Sequence, residues 1–127
     1  MSNSNIQHPK VVVIGAGSLF FGRQALWQMV HSDYLNTGSL AFVDTDAERL
    51  EKMATLAEMV VADNHVALQI EAANNWKDVL PGADFVVLSF ANQTVKYRGI
   101  DCVISEKYGV RMCSGDTIGP GGVFRAM

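Results

Sequence analysis

The most constraining feature of the chain is a junction near its start. Lys10 to Ile14 (KVVVI) is a short continuous apolar run rich in β-branched residues, and it passes directly into Gly15-Ala16-Gly17-Ser18. Runs of this kind read as buried strands of parallel sheets. Leu19 to His31 follows, with Leu26, Met29 and Val30 at helical spacing. A strand that turns through glycines into a helix aims free N–H groups and the positive end of the helix dipole at one spot, which suits a phosphate. Gly15 allows the tight turn, and Gly17, lacking a Cβ, lets a pyrophosphate approach the backbone. Ser18 adds a hydroxyl donor. Phe20 stands where the usual pattern has its third glycine; Gly22, two residues late, is expected to serve helix–strand packing instead.

The rest of the chain repeats the alternation. Leu40 to Asp44 reads as a second strand, after a loop at residues 33–39. Thr45 and Glu48 stand at capping-box spacing, with Asp46 as an alternative N-cap. Leu50, Met53, Ala54, Ala57, Val60 and Val61 form a helix stripe. Leu68 to Ala72 is expected to be a third strand, Asn75 to Leu80 a helical turn ended by Pro81-Gly82, and Phe85 to Phe90 a fourth, buried strand. Val95 to Tyr108 reads as a helix closed by Gly109. This order predicts an α/β fold, a Rossmann-like doubly wound parallel sheet that is incomplete, with the strand C-termini and any ligand along one edge. Residues 1–9 are expected to be a frayed polar tail and residues 10–127 one dinucleotide-binding domain.

At the end of the second strand, the Asp44 carboxylate is placed to accept both ribose hydroxyls of an adenosine, and it would repel a 2′-phosphate; NAD is therefore favoured over NADP. Gly17 and Asp44 are further apart than the usual spacing of about 20 residues, and the 33–39 loop absorbs the excess. The competing reading is that Asp44 or Asp46 only caps the next helix. Asn92, just past the fourth strand, is a candidate contact for the nicotinamide ribose, or equally a turn residue.

Composition removes other classes. Hydrophobic residues make up 49% of the 127 residues and charged ones 18%, enough apolar material for one core. A net charge of −3 gives no electrostatic reason to expect nucleic acid or an anionic membrane. No apolar run approaches the roughly 20 residues of a membrane span, and Met1 to Lys10 lacks the apolar segment of a signal peptide. Cys102 and Cys113 cannot build a disulfide framework, so a cytoplasmic location is expected. His8, His31 and His65 are scattered and neither cysteine has one nearby, so no metal ligands are expected in this chain. Tyr97 and Tyr108 lie at core-like helical spacing, and Lys96 and Arg98 read as a solvated face.

Four segments occur together and in order: Gly15-Ala16-Gly17-Ser18, the Val43 to Leu50 run (VDTDAERL), Gly82 to Val87 (GADFVV), and Asp116 to Ala126 (DTIGPGGVFRA). In that combination the chain resembles the N-terminal portion of glycoside hydrolase family four, the NAD- and metal-dependent glycosidases, and the form with Asp116 is similar to its α-galactosidase and α-glucuronidase branch. The resemblance implies hydrolysis of O-glycosides by an oxidation–elimination route. NAD oxidises C3 of the sugar, a divalent metal such as Mn²⁺ polarises the C2 and C3 oxygens, and a tyrosine removes the C2 proton. It further implies that Gly15, Gly17, Ser18 and Asp44 are NAD-binding positions, and that Asp116 is a catalytic carboxylate that raises the basicity of the tyrosine; an N-cap on the following turn is the alternative for Asp116. The family's metal ligands and its tyrosine base belong beyond residue 127. The chain is therefore expected to be the N-terminal part of a longer enzyme and inactive by itself. Ala91-Asn92-Gln93-Thr94 departs from the family's frequent sugar-phosphate contact, which argues against a 6-phospho substrate. The rivals are a fragment of a lactate/malate-type dehydrogenase and a non-enzymatic NAD-binding module. Self-association is expected if an apolar face is left uncovered.

Overall fold

The computed structural model describes residues 7–18, 20–90 and 94–110. The chain divides into two compact units, residues 1–90 and 91–127. The first unit runs β1 (Lys10–Ile14), α1 (Phe21–Val30), β2 (Ser39–Val43), α2 (Ala47–Asp63), β3 (Gln69–Ala73), α3 (Trp76–Val79) and β4 (Phe85–Leu88). The second contains α4 (Thr94–Lys107). The four strands form one all-parallel sheet in the order β3-β2-β1-β4. The α/β, Rossmann-like expectation is met. The chain winds outward from β1 through β2 to β3, then returns to the other side of β1, so the crevice between the C-terminal ends of β1 and β4 is a topological switch point.

The side-chain period of two explains how the sheet is covered. Val11, Val13, Leu40 and Phe42 point to one face, where they pack with Leu26, Met29 and Val30 of α1 and Leu50, Met53 and Ala57 of α2. Val12, Ala41 and Val43 point to the other face and meet Val79 of α3. The helical stripes read from the sequence therefore face the sheet as expected, with Leu50, Met53 and Ala57 the buried members of the longer one. Gly22 serves close packing, but of α1 against the glycine loop and α2 rather than against a strand: a Cβ there would stand 2.3 Å from the Ala16 carbonyl oxygen and 3.0 Å from the Met53 methyl group. The Asp46 carboxylate caps α2 through the Arg49 N–H, and Asn75 caps α3 through the Lys77 N–H. Pro9, assigned to the polar tail by sequence, is buried, and its carbonyl accepts the Ser39 N–H at 3.0 Å.

β4 corrects the sequence expectation in one respect. It pairs with β1, but Phe85, Val86, Val87 and Leu88 are 42–65% exposed rather than buried. A continuous apolar run indicates a strand suited to cover on both faces. Among the described residues β4 is an edge strand, with β1 its one neighbour in the sheet. In the second unit, α4 ends in a Schellman motif: Gly109 has φ +72°, its N–H donates to the Glu106 carbonyl, and the Val110 N–H donates to the Ser105 carbonyl. Tyr97 is half-buried with the Lys96 ammonium 5.6 Å from its ring centre, and Arg98 is also half-buried. Tyr108 is exposed, so it is not the packing residue its spacing indicated; it lies past the last helical turn, in the C-terminal cap. No helix among the described residues is long and apolar enough to cross a membrane.

Phe42 is fully buried in the larger cluster. Phe42→Ala is expected to cost about 3–5 kcal/mol in chemical denaturation, a large part of a small domain's stability. A loss below about 1 kcal/mol would contradict the packing described.

Candidate functional site

The site begins where β1 ends. The N–H groups of Gly15 and Ala16 both donate to the Val43 carbonyl, at 2.8 and 3.0 Å, so the turn is tied to the end of β2. The Ser89 N–H donates to the Ile14 carbonyl at 2.8 Å, which brings the exit of β4 against the same turn. Gly15 has φ +91°, and a Cβ there would lie 2.2 Å from the Ser89 carbonyl oxygen. Neither the backbone angle nor the space admits a side chain. The glycine read as a tight-turn residue is thus fixed by the approach of β4 as well as by the turn.

Gly17 is fixed from the opposite side. Its N–H donates to Asp44 Oδ2 at 2.8 Å, and a Cβ would stand 2.7 Å from that oxygen and 3.0 Å from the Arg49 Cβ. The other carboxylate oxygen, Oδ1, accepts the Asp46 N–H at 3.0 Å. Asp44 therefore joins the glycine loop to the start of α2 and is not the cap of that helix, a task that falls to Asp46. An ionised carboxylate offers about four acceptor positions, so two remain for a ligand beside the glycine loop.

The Ser18 N–H donates to the Gly15 carbonyl, and the Ser18 carbonyl accepts the Gly22 N–H, which leads the loop into α1. α1 starts without a side-chain cap and without an acidic residue in its first turn, whereas α2 and α3 are both capped by side chains. Its N-terminal end keeps the positive end of the helix dipole for an anion, but the free N–H groups expected of the loop are not free: those of Gly15, Ala16, Gly17, Ser18 and Gly22 all have partners within the protein.

Sequence reasoning passed over two neighbours. Asn74, at the end of β3, donates its side-chain N–H to the Asp44 carbonyl at 2.9 Å and braces the end of β2. Arg49 lies against Gly17 and pairs through Nε with Asp46 at 3.1 Å. The adjacent asparagines Asn74 and Asn75 were a visible turn signal, but the bond across to β2 depends on strand register and has no local signature. Asn92, Asp116 and Cys113 lie outside the described residues. Cys102 is free and exposed, and no group of three His, Cys, Asp or Glu side chains capable of holding a metal occurs among the described residues.

The sheet order and the glycine loop define a Rossmann-type α/β unit, the class whose switch-point crevice takes dinucleotides. The chain belongs to family 4 of the glycosyl hydrolases, whose family model matches residues 10–127. It is 30% identical over 121 residues to an α-galactosidase of Bacillus subtilis (strain 168), covering 93% of this chain and 28% of that enzyme. The chain thus spans about a quarter of the length of the curated relatives it matches. Its fold is similar to that of a 6-phospho-β-glucosidase from Thermotoga maritima solved with NAD and glucose-6-phosphate, with a TM-score of 0.71 at 23% identity, over 94% of this chain and 28% of that one. It is also similar to a 6-phospho-α-glucosidase from gut microorganisms solved with NAD and Mn²⁺, with a TM-score of 0.67 at 21% identity, over 91% of this chain and 26% of that one.

Gly15→Ala combines a left-handed backbone with a clash against a backbone oxygen. It is expected to lower stability by about 2–5 kcal/mol in chemical denaturation. Stability within about 1 kcal/mol of the unsubstituted chain would mean that β4 does not approach the turn as described.

Proposed function

We propose that this chain supplies the NAD-binding region of a family 4 glycosidase, an enzyme that hydrolyses O-glycosides by transient oxidation of the sugar. The observation that carries the reading is the convergence of the Gly17 N–H and the Asp44 carboxylate beside the uncapped start of α1, at the switch point of the sheet. The arrangement fits the cofactor. Gly17 lets the loop lie directly against Asp44 and Arg49 where a Cβ would clash, Asp44 retains acceptor capacity for the two ribose hydroxyls, and the dipole at the start of α1 would receive the pyrophosphate. Gly15 and Ser18 shape and continue that loop, and Asn92 is assigned to the nicotinamide ribose. When bound, NAD supplies a reversible hydride acceptor for the sugar. The chain's own residues bind and orient the cofactor, and the Asp44 charge excludes a 2′-phosphate.

Family membership separates the chain from the lactate- and malate-type dehydrogenases that share this strand layout. The NAD complexes of the Thermotoga and gut-microorganism enzymes support the cofactor reading, and the Mn²⁺ of the latter supports a divalent metal in the whole enzyme. The described residues offer no metal ligand set, so no step through a metal is derived from them. Asp116 is assigned to the catalytic machinery as the carboxylate that tunes a tyrosine base. Both the tyrosine and the metal ligands are assigned to sequence beyond this chain. The substrate is read as an O-glycoside without a 6-phosphate, with support from the α-galactosidase and α-galacturonidase relatives. A maltose-6′-phosphate glucosidase relative at 30% identity and the 6-phospho-glucosidase structures favour a phosphorylated one instead. The free, exposed thiol of Cys102 suits a reducing cytoplasm.

Calorimetric titration tests the reading. The chain is expected to bind NAD⁺ saturably and more tightly than NADP⁺, and Asp44→Ala is expected to weaken NAD⁺ by roughly 10- to 100-fold, the loss of charge-assisted hydrogen bonds. No binding of NAD⁺ by a folded chain would overturn the assignment of cofactor binding to this chain.

A further inference from the structure

We propose that Asp46 and Arg49 form a second determinant of cofactor choice beside Asp44: Asp46 holds the Arg49 guanidinium as its counter-ion, and releasing that guanidinium makes the site accept a 2′-phosphate. The inference rests on the cofactor reading above and concerns which dinucleotide the same site takes.

Arg49 is placed at the ribose end of the site by the fold. It sits in the first turn of α2, and its Cβ lies 3.0 Å from the point that a Gly17 Cβ would occupy. Asp44 Oδ2, the oxygen bound to the Gly17 N–H, lies 2.7 Å from that same point. The root of the arginine side chain and the carboxylate assigned to the ribose hydroxyls therefore flank one backbone position. A phosphate on the 2′-oxygen would meet Asp44 as a repulsive neighbour and Arg49 as an attractive one.

Asp46 decides which neighbour prevails. One of its oxygens caps α2 through the Arg49 N–H at 3.1 Å, and the other takes the Arg49 Nε at 3.1 Å. The residue that starts the helix thus also occupies the guanidinium. Its own N–H donates to Asp44, which keeps the two carboxylates within one turn of chain. Two carboxylates against one guanidinium leave the corner negative and disfavour a phosphate. The ion pair is largely exposed, with side-chain exposures of 70% for Arg49 and 45% for Asp46, so water screens it. A phosphate accepts charge-assisted and often bidentate bonds from a guanidinium and would compete for Arg49 once Asp46 lost its charge. Asparagine and serine at position 46 both keep a capping oxygen for the helix while removing the counter-ion.

The test is a cycle of calorimetric titrations with NAD⁺ and NADP⁺ on the full chain, on Asp46→Asn, on Arg49→Gln and on the double variant, with thermal melts of each. Asp46→Asn is expected to raise the affinity for NADP⁺ relative to NAD⁺ by about tenfold, and Asp46→Ser to reproduce the shift. Arg49→Gln is expected to leave the ratio of the unsubstituted chain nearly unchanged and to abolish most of the gain in the Asp46→Asn background. A ratio that Asp46→Asn and Asp46→Ser leave unchanged overturns the inference. A gain that survives the loss of Arg49 also overturns it, because relief of repulsion alone would then explain the shift. If the unsubstituted chain bound no NAD⁺ at all, the cofactor reading itself would fall, an outcome distinct from both.

Discussion

The bond from the Gly17 N–H to Asp44 Oδ2 is the contact on which the site depends, because it converts a sheet neighbourhood into a binding geometry. β1 and β2 are adjacent and parallel, with Ile14 in register with Val43, so the glycine loop leaving β1 and the acid following β2 arrive side by side. The Val43 carbonyl then takes two N–H groups from the loop, and Asp44 takes a third. Most of the donors a flexible glycine turn would lose to water are thereby held in the protein, and the order they impose is present before any ligand arrives. Pre-organisation of this kind lowers the entropic cost of binding.

The same bond explains why the loop tolerates a departure from the usual spacing. The third glycine is absent, and Phe20 at that position is exposed. The close approach that a third glycine would serve is supplied by Gly22 against the Ala16 carbonyl and Met53. The long separation between Gly17 and Asp44 is taken up by the turn-rich segment after α1, and the strand register restores the contact.

The division between what was legible in the sequence and what was not follows from locality. Strand and helix positions, the parallel order, the Asp46 cap as one alternative and the Gly109 terminus all have local signatures: β-branched runs, a 3.6-residue stripe, a side-chain oxygen before a helix, a glycine after one. Gly15, Gly17 and Asp44 were legible because a strand–glycine–helix junction leaves few other arrangements. The Asn74 brace and the packing of Arg49 on Gly17 were not, since each joins residues far apart in sequence whose meeting depends on register and helix placement. The exposure of β4 has no local signature for a related reason: apolarity records what a strand is suited to meet, whereas Phe85 to Leu88 lie exposed at the edge of the described sheet.

Pre-organisation of the loop through Asp44 is tested most directly by amide hydrogen exchange at Gly17 in the ligand-free chain. The expected result is protection of the Gly17 N–H well above that of an open loop, lost in Asp44→Ala while the β1 amides retain theirs. A Gly17 amide that exchanges freely in the unsubstituted, folded chain would contradict it, and would mean that the cofactor orders the loop instead of finding it ordered.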